Sequence, residues 1–183
     1  MKLVFLSVLT VMTLAVPVTA EVFSFEYNTG DHYKIHSQVD ETVYVNGARS
    51  HRADILNKIS IEITDTENGS GFITAWFQTS ERSFDSDSVY EWSREYYSEF
   101  WRDEYGVYQI DESYFMPVVR SVPRFPDREL EPGDTWGAPG SEVHDFRDNF
   151  GIQDAFHFPI QATYTYVGEA EFQGRSFGHI EIA

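Results

Sequence analysis

Hydrophobic and polar residues alternate with a period of two through most of the chain. Ile59, Ile61 and Ile63 alternate strictly with polar residues, and segment 158–167 repeats the pattern with aromatic and aliphatic side chains. A period of two is typical of a β-strand that buries one face. The sequence therefore predicts an all-β protein, with an antiparallel curved sheet that forms a sandwich or an open barrel.

Turn residues divide this pattern into strands that are sequential neighbours. Asn46-Gly47 supplies the two residues with positive φ that a type I′ hairpin turn requires. Segment 66–71, around Asn68-Gly69, predicts a second turn, after which residues 72–79 return antiparallel to the strand before it. This part of the chain is predicted to be a meander.

The aromatic segment from Tyr90 to Trp101 fits two patterns. Tyr90, Trp92, Tyr96 and Phe100 share one strand parity. Helical spacing also places Trp92, Tyr96 and Phe100 on one side. Aromatic residues favour strands, so we expect one long strand that leads into residues 107–110.

Two further segments complete the predicted organisation. Phe23, Phe25 and Tyr27 alternate with polar residues and predict a first strand. Residues 117–133 carry four prolines, each without a backbone donor, so this segment is predicted to be an ordered connection or an edge. The strand pattern resumes at 177–182.

The first twenty residues have the pattern of a secretory signal peptide. Lys2 gives a cationic start, the apolar run from Leu3 to Val16 follows, and Val18 and Ala20 occupy the positions that a signal peptidase reads. The run is shorter than the roughly 20 residues that span a bilayer. We expect cleavage after residue 20 and one β-rich domain over 21–183. The strand pattern continues to the last residue, which predicts a domain truncated at its C-terminus.

Charge and cysteine content narrow the function classes. The chain has 13 Lys and Arg against 30 Asp and Glu, a net charge of −17, and removal of residues 1–20 takes away only Lys2 and makes it −18. Such a field repels nucleic acid and anionic lipid surfaces, so no nucleic-acid partner is expected. The absence of cysteine excludes disulfides and favours a bacterial envelope over an animal secretome.

Candidate catalytic residues are few. Glu91, Glu95 and Glu99 share one strand parity with Asp103 near the next turn, and a glycosidase uses two carboxyls about 5–10 Å apart across a cleft. Alternate acids on a strand more often form a solvated face. The sequence has no Gly-x-Ser-x-Gly elbow, no cysteine nucleophile and no glycine-rich phosphate loop. We therefore predict a protein that is not an enzyme, without catalytic residues or cofactors.

The histidines do not form a metal-binding pattern. His32 and His36 are four residues apart, a spacing that brings side chains together on a helix but not on a strand. His144 lies in the ionisable segment 142–148, for which an ion-pair loop is the favoured interpretation. No metal site is predicted.

Aromatic side chains are the candidate ligand-binding residues. The tryptophans at 76, 92, 101 and 136, with many tyrosines, can line a sugar platform or a ligand cavity, or they can simply fill the core. The selected candidates are Trp76, Trp92, Tyr96 and Trp101.

Five strings of the sequence carry a family resemblance. They are SHRADILN at 50–57, FQTSER at 77–82, WSREY at 92–96, the segment 116–136 with its MPVVRSVP, FPD and PGDTW, and EVHDFRD at 142–148. Together they resemble the N-terminal region of OmpA-family cell-envelope proteins of diderm bacteria. In that family a separate C-terminal domain binds peptidoglycan. That domain is absent from this chain, so the resemblance implies no functional residue here.

Three functions follow as hypotheses. The first is an exported, non-enzymatic β domain of an OmpA-like protein, in the periplasm or at the outer membrane, with a structural or scaffolding role and cell-envelope partners, including peptidoglycan through the missing domain. The second is a periplasmic module whose curved sheet holds a lipid or a glycan. The third is a polysaccharide hydrolase.

Overall fold

The chain forms two antiparallel β-sheets. A computed structural model describes residues 20–85, 89–147 and 151–183, so the predicted signal peptide lies outside the described residues except for Ala20. The strands within these ranges are β1 (His32–Val45), β2 (Ala48–Glu67), β3 (Ser70–Ser83), β4 (Glu91–Trp92), β5 (Tyr96–Arg102), β6 (Tyr108–Ile110), β7 (Val119–Arg120), β8 (Thr135–His144), β9 (Phe156–Phe172) and β10 (Arg175–Ile182). The predicted all-β class is confirmed.

The first sheet is a half-barrel with the strand order β1-β2-β3-β5-β6, in which β4 also pairs with β3. Its first two hairpins turn at Asn46-Gly47, with φ values of 52° and 80°, and at Asn68-Gly69, with 50° and 81°. Positive φ at both central residues is the type I′ requirement. The predicted meander is confirmed.

A bulge divides the predicted long strand at 90–101 into β4 and β5. Ser80 pairs with Trp92 and Phe77 pairs with Tyr96, so three residues, 93–95, lie opposite two residues of β3. The Ser93 N–H donates to the Thr79 carbonyl at 2.8 Å and holds this bulge in place. The prediction of one long strand is wrong, because a one-residue insertion shifts every later side chain to the opposite face.

The predicted first strand at 23–27 is also wrong in its backbone pairing. Phe23, Phe25 and Tyr27 are half-buried and their neighbours are exposed, as alternation predicts, but the segment joins neither sheet as a strand. It packs between the sheets instead: the Phe25 N–H donates to the Glu104 carbonyl at 2.8 Å. Phe23 contacts the Tyr166 ring of the second sheet, with ring centroids 5.0 Å apart.

The second sheet has the order β10-β9-β8-β7. Its centre is fully buried Tyr164, on which Trp136 stacks with a centroid distance of 5.1 Å. The Trp136 indole N–H donates to the Arg124 carbonyl at 2.8 Å. Trp136 is thus a structural residue. The proline-rich segment 117–133 is an ordered connection with the short β7 inside it, as predicted, and it separates the strands into two sheets.

Candidate ligand-binding groove and aromatic face

An apolar groove of about 450 Å³ lies on the concave face of the half-barrel. The floor comes from β1, β2 and β3, and one wall is segment 116–119. The lining residues are Val39, Ile55, Asn57, Ile59, Phe77, Thr79, Met116, Pro117, Val118 and Val119. None of them is charged. Ligand pockets of about 300–1,000 Å³ with mostly apolar linings are typical of small-molecule sites.

The polar side chains of the groove are already hydrogen-bonded to each other and to β1. The Thr79 hydroxyl donates to Asn57 Oδ1 at 3.0 Å, and Asn57 Nδ2 donates to Ser37 Oγ at 3.1 Å. Covering a polar group with an apolar ligand costs free energy when that group has no hydrogen-bond partner, because the group loses its contact with water. The polar groups of this groove have such partners. The groove floor can therefore accept an apolar ligand.

Two buried side chains fix the wall of the groove. The Ser98 hydroxyl donates to the Met116 carbonyl at 2.6 Å. The Arg120 guanidinium, only 4% exposed, donates through Nε to the Pro117 carbonyl at 3.2 Å and through Nη2 to the Tyr114 carbonyl. Its burial lowers the pKa of Arg120. These bonds hold the segment against β5.

The mouth of the groove exposes apolar surface to water. Val39, Val118 and Val119 are 44%, 38% and 41% exposed, and Ile35 on the same face of β1 is 41% exposed. Contiguous exposed apolar surface commonly marks an interaction site.

The bulge separates the four candidate aromatic residues. Trp76 pairs with Tyr97, Phe72 with Trp101 and Ser80 with Trp92, so the three tryptophans share the convex face of the half-barrel. Tyr96 pairs with Phe77 on the concave face, where it packs against the core. Its hydroxyl donates to Asp145 at 2.8 Å. The structure thus brings Trp76, Trp92 and Trp101 to one surface and places Tyr96 on the other.

Trp76 lies in a depression of about 350 Å³ on the convex face. The polar residues around it are His32, Lys34, Ser60 and Glu62. The rings of Trp76 and Tyr97 lie 5.5 Å apart. An aromatic ring beside hydroxyl, carboxylate and ammonium groups can stack on one face of a sugar and bond its hydroxyls.

The other two tryptophans also have partners on the convex face. The Lys58 ammonium lies 3.6 Å from the centroid of the Trp92 ring, a cation–π contact. The Trp101 ring is tilted against Phe72, with a centroid distance of 5.1 Å. Trp92 is 41% exposed and Trp76 is only partly exposed, but Trp76 is the tryptophan that lines the depression beside polar side chains.

The acidic residues considered as a possible glycosidase pair lie at separate places in the structure. Asp103 accepts hydrogen bonds from the N–H groups of Tyr105 at 3.0 Å and Val107 at 2.7 Å, so it stabilises the β5–β6 turn. Glu99 accepts a bond from the Tyr97 hydroxyl on the convex face. Glu91 lies at the sheet position opposite Glu81.

Asp145 is the centre of an ion-pair network that joins the two sheets. It follows β8, and it accepts hydrogen bonds from Arg147 Nε at 2.9 Å and from Arg94 Nη2 at 2.5 Å, in addition to Tyr96. The hydrogen bonds from Arg147 are the largest cause that holds the pKa of Asp145 well below its usual value. This network accords with the predicted ion-pair loop at 142–148, of which Asp148 lies outside the described residues.

Within 20–85, 89–147 and 151–183, no three His, Asp or Glu side chains form a group that could hold a metal ion. In the same residues, no helix has the length and apolar character needed to cross a membrane.

The groove was missed by sequence reasoning. Its wall, Met116 to Val119, is a short apolar run inside the proline-rich segment, and that run was the available signal. Its approach to Val39 and Ile55 depends on tertiary structure.

Fold and site define an all-β protein with an apolar groove on the concave face of a half-barrel. Comparison with models of known protein families, with curated proteins and with solved structures gives no match for this chain. The resemblance to the N-terminal region of OmpA-family proteins stays a prediction.

Proposed function

We propose that this protein is an exported, non-enzymatic binding module of the cell envelope that holds the apolar chain of a lipid in its concave groove. The observation that carries the proposal is an uncharged groove of about 450 Å³ whose polar groups are internally bonded. Removal of apolar surface from water contributes about 25 cal/mol per Å². A bound acyl chain would cover surface that the mouth of the groove exposes.

The groove and the charge together support one class of ligand. The groove is open along its mouth, so a polar head group can stay in water while the chain lies on the floor. The net charge of −17 disfavours an anionic head group through repulsion. Neutral and zwitterionic monoacyl lipids are the expected ligands, and binding should be tested with these first.

Introduction of a charge at the groove wall should weaken lipid binding. Val118→Asp places a carboxylate where the chain would lie, and an unpaired charge against hydrocarbon is strongly unfavourable. We expect at least about tenfold weaker binding, or about 1.4 kcal/mol, for an uncharged monoacyl lipid with a fluorescent label. Fluorescence titration measures the Kd.

The matched control is Val167→Asp on β9 of the second sheet. Val167 is 45% exposed, against 38% for Val118, so both variants add the same charge at similar exposure. The control should bind like the unmodified protein. Equal affinity of all three proteins, or no saturable binding by any, would contradict the proposal.

A glycan site on the convex face is a second candidate, favoured by the polar depression around Trp76. Trp76→Ala removes the stacking surface and should weaken binding of soluble peptidoglycan fragments by about tenfold. Phe172→Ala, at an exposed aromatic residue of the second sheet, is the control. Isothermal titration calorimetry measures both, and an unchanged Kd for Trp76→Ala would remove this candidate.

The structural or scaffolding role at the outer membrane rests on the family resemblance. Support for it would come from a coding sequence that continues into an OmpA-like domain beyond Ala183. A coding sequence without that domain would leave the role without its peptidoglycan partner.

A further inference from the structure

Strand β1 is a long free edge of the half-barrel. In the described part of the chain it pairs only with β2, and all fourteen of its residues are exposed. A typical strand has about 5–6 residues. An exposed edge presents unpaired N–H and C=O groups that can add a further strand. The edge is therefore available for pairing with a further strand.

The hydrogen-bond pattern shows which backbone groups face outward. The Ile63 N–H donates to the Asp31 carbonyl at 2.8 Å, and the register continues without a bulge from His32↔Glu62 to Val43↔His51. Hydrogen-bonded pairs alternate along an antiparallel ladder, so the odd-numbered residues of β1 direct their backbone groups to β2. The even-numbered residues direct theirs to the free edge.

We propose that two copies of this chain pair antiparallel along β1, with Ser37 opposite Ser37 of the second copy. This register places Lys34 opposite Asp40 on the convex face, and the two-fold symmetry repeats the contact. On the concave face it places Ile35 opposite Val39. The outward backbone groups of His36 then meet those of Gln38. Unlike charges and apolar pairs at directly opposite positions stabilise a sheet.

Pairings of the two β1 strands in neighbouring registers lack the match of Lys34 with Asp40 and of Ile35 with Val39. A pairing centred on His36 places Lys34 opposite Gln38 and Ile35 opposite Ser37. A pairing centred on Gln38 places Ile35 opposite Glu41. Because each chain carries a net charge of −17, association needs local contacts between unlike charges. The Ser37 register provides two such contacts, since Asp40 can accept from Lys34 in addition to its bond from Arg52 Nη2 at 2.7 Å.

The symmetry follows from the register. A two-fold axis through the Ser37 pair is perpendicular to the sheet, so each copy offers the same surface and the assembly closes as a dimer. The two concave faces lie on the same side. The dimer does not depend on what the groove binds. Oligomeric state and lipid affinity are separate measurements, so one proposal can fail while the other holds.

A single cysteine tests the register directly, because the chain contains no cysteine. At a non-hydrogen-bonded antiparallel pair the Cα atoms are about 4.5 Å apart, within the range of a disulfide. Ser37→Cys should therefore give a covalent dimer under mild oxidation, seen on a non-reducing gel. Thr42→Cys is the matched control: its counterpart lies ten residues along the paired strands, about 33 Å away, so it should give no covalent dimer.

A proline tests the edge without disturbing the fold. Gln38→Pro removes an N–H that faces the free edge and leaves the ladder to β2 intact. The unmodified protein should sediment as a dimer at concentrations of tens of micromolar, and Gln38→Pro as a monomer with the same circular dichroism spectrum. The proposal is overturned by an unmodified protein that stays monomeric, by a dimer that Gln38→Pro leaves unchanged, or by equal cross-linking of both cysteine variants.

Discussion

Gly106→Ala should destabilise the fold by about 2–6 kcal/mol, the largest loss expected for a single methyl group in this chain. Gly106 has a φ of +94°, which costs a residue with a side chain about 1–3 kcal/mol. An added Cβ would lie 2.4 Å from the Pro123 carbonyl oxygen and 3.0 Å from the Phe25 ring. Neither the backbone nor the packed ring can move freely, so overpacking contributes about 1–3 kcal/mol more.

Gly30→Ala separates these two contributions. Gly30 has nearly the same φ, +93°, but no atom lies within 4 Å of its added Cβ. Chemical denaturation of both variants measures the free energy of unfolding. Gly30→Ala should lose only the backbone contribution, and the difference between the variants gives the steric one. Equal losses would show that the turn at Gly106 does not pack closely against Pro123.

Asp145→Asn should weaken the contact between the two sheets at neutral pH. The carboxylate accepts charge-assisted bonds from Arg94 and Arg147 and one from Tyr96, and its side chain is only 16% exposed. Hydrogen bonds to charged groups contribute about 1.5–3 kcal/mol each, and asparagine retains part of them. We expect a loss of about 2–3 kcal/mol in the free energy of unfolding at pH 7.

The pH dependence of this loss has a definite sign. The pKa of Asp145 is lowered from its ordinary 3.8, chiefly by the Arg147 hydrogen bonds, so the unfolded chain binds the proton more readily than the folded one. The stabilisation is present above pH about 4 and is lost as the pH falls towards the depressed folded pKa. The gap between the unmodified protein and Asp145→Asn should therefore narrow below pH 4.

Asp134→Asn is the comparison for this experiment. Asp134 pairs with Arg128 at 2.8 Å, but its side chain is 38% exposed, and exposed pairs contribute little. Thermal unfolding between pH 3 and pH 7 should show a much smaller effect for this variant. A loss for Asp145→Asn that does not change with pH would contradict the assignment to its charge.

Local patterns in the sequence predicted much of the fold. Alternation and the Asn-Gly pairs predicted β2, β3 and their turns because a strand period and a type I′ turn depend on neighbouring residues only. The same reasoning was wrong for residues 23–27. Their side chains alternate between buried and exposed positions, but burial comes from packing between two sheets and not from pairing as a strand. Periodicity reports which side chains are buried, and it does not report what covers them.

The amino-acid sequence by itself determined the all-β class, the two-residue turns and the alternation of buried side chains. Only the tertiary structure decided which residues share a surface. One extra residue at 93–95 places Tyr96 on the other face of the sheet from Trp92. The groove forms because residues 116–119 pack over strands that lie more than thirty residues away in the sequence. Such contacts depend on register and on how a sheet curls, and neither has a local signature in the chain.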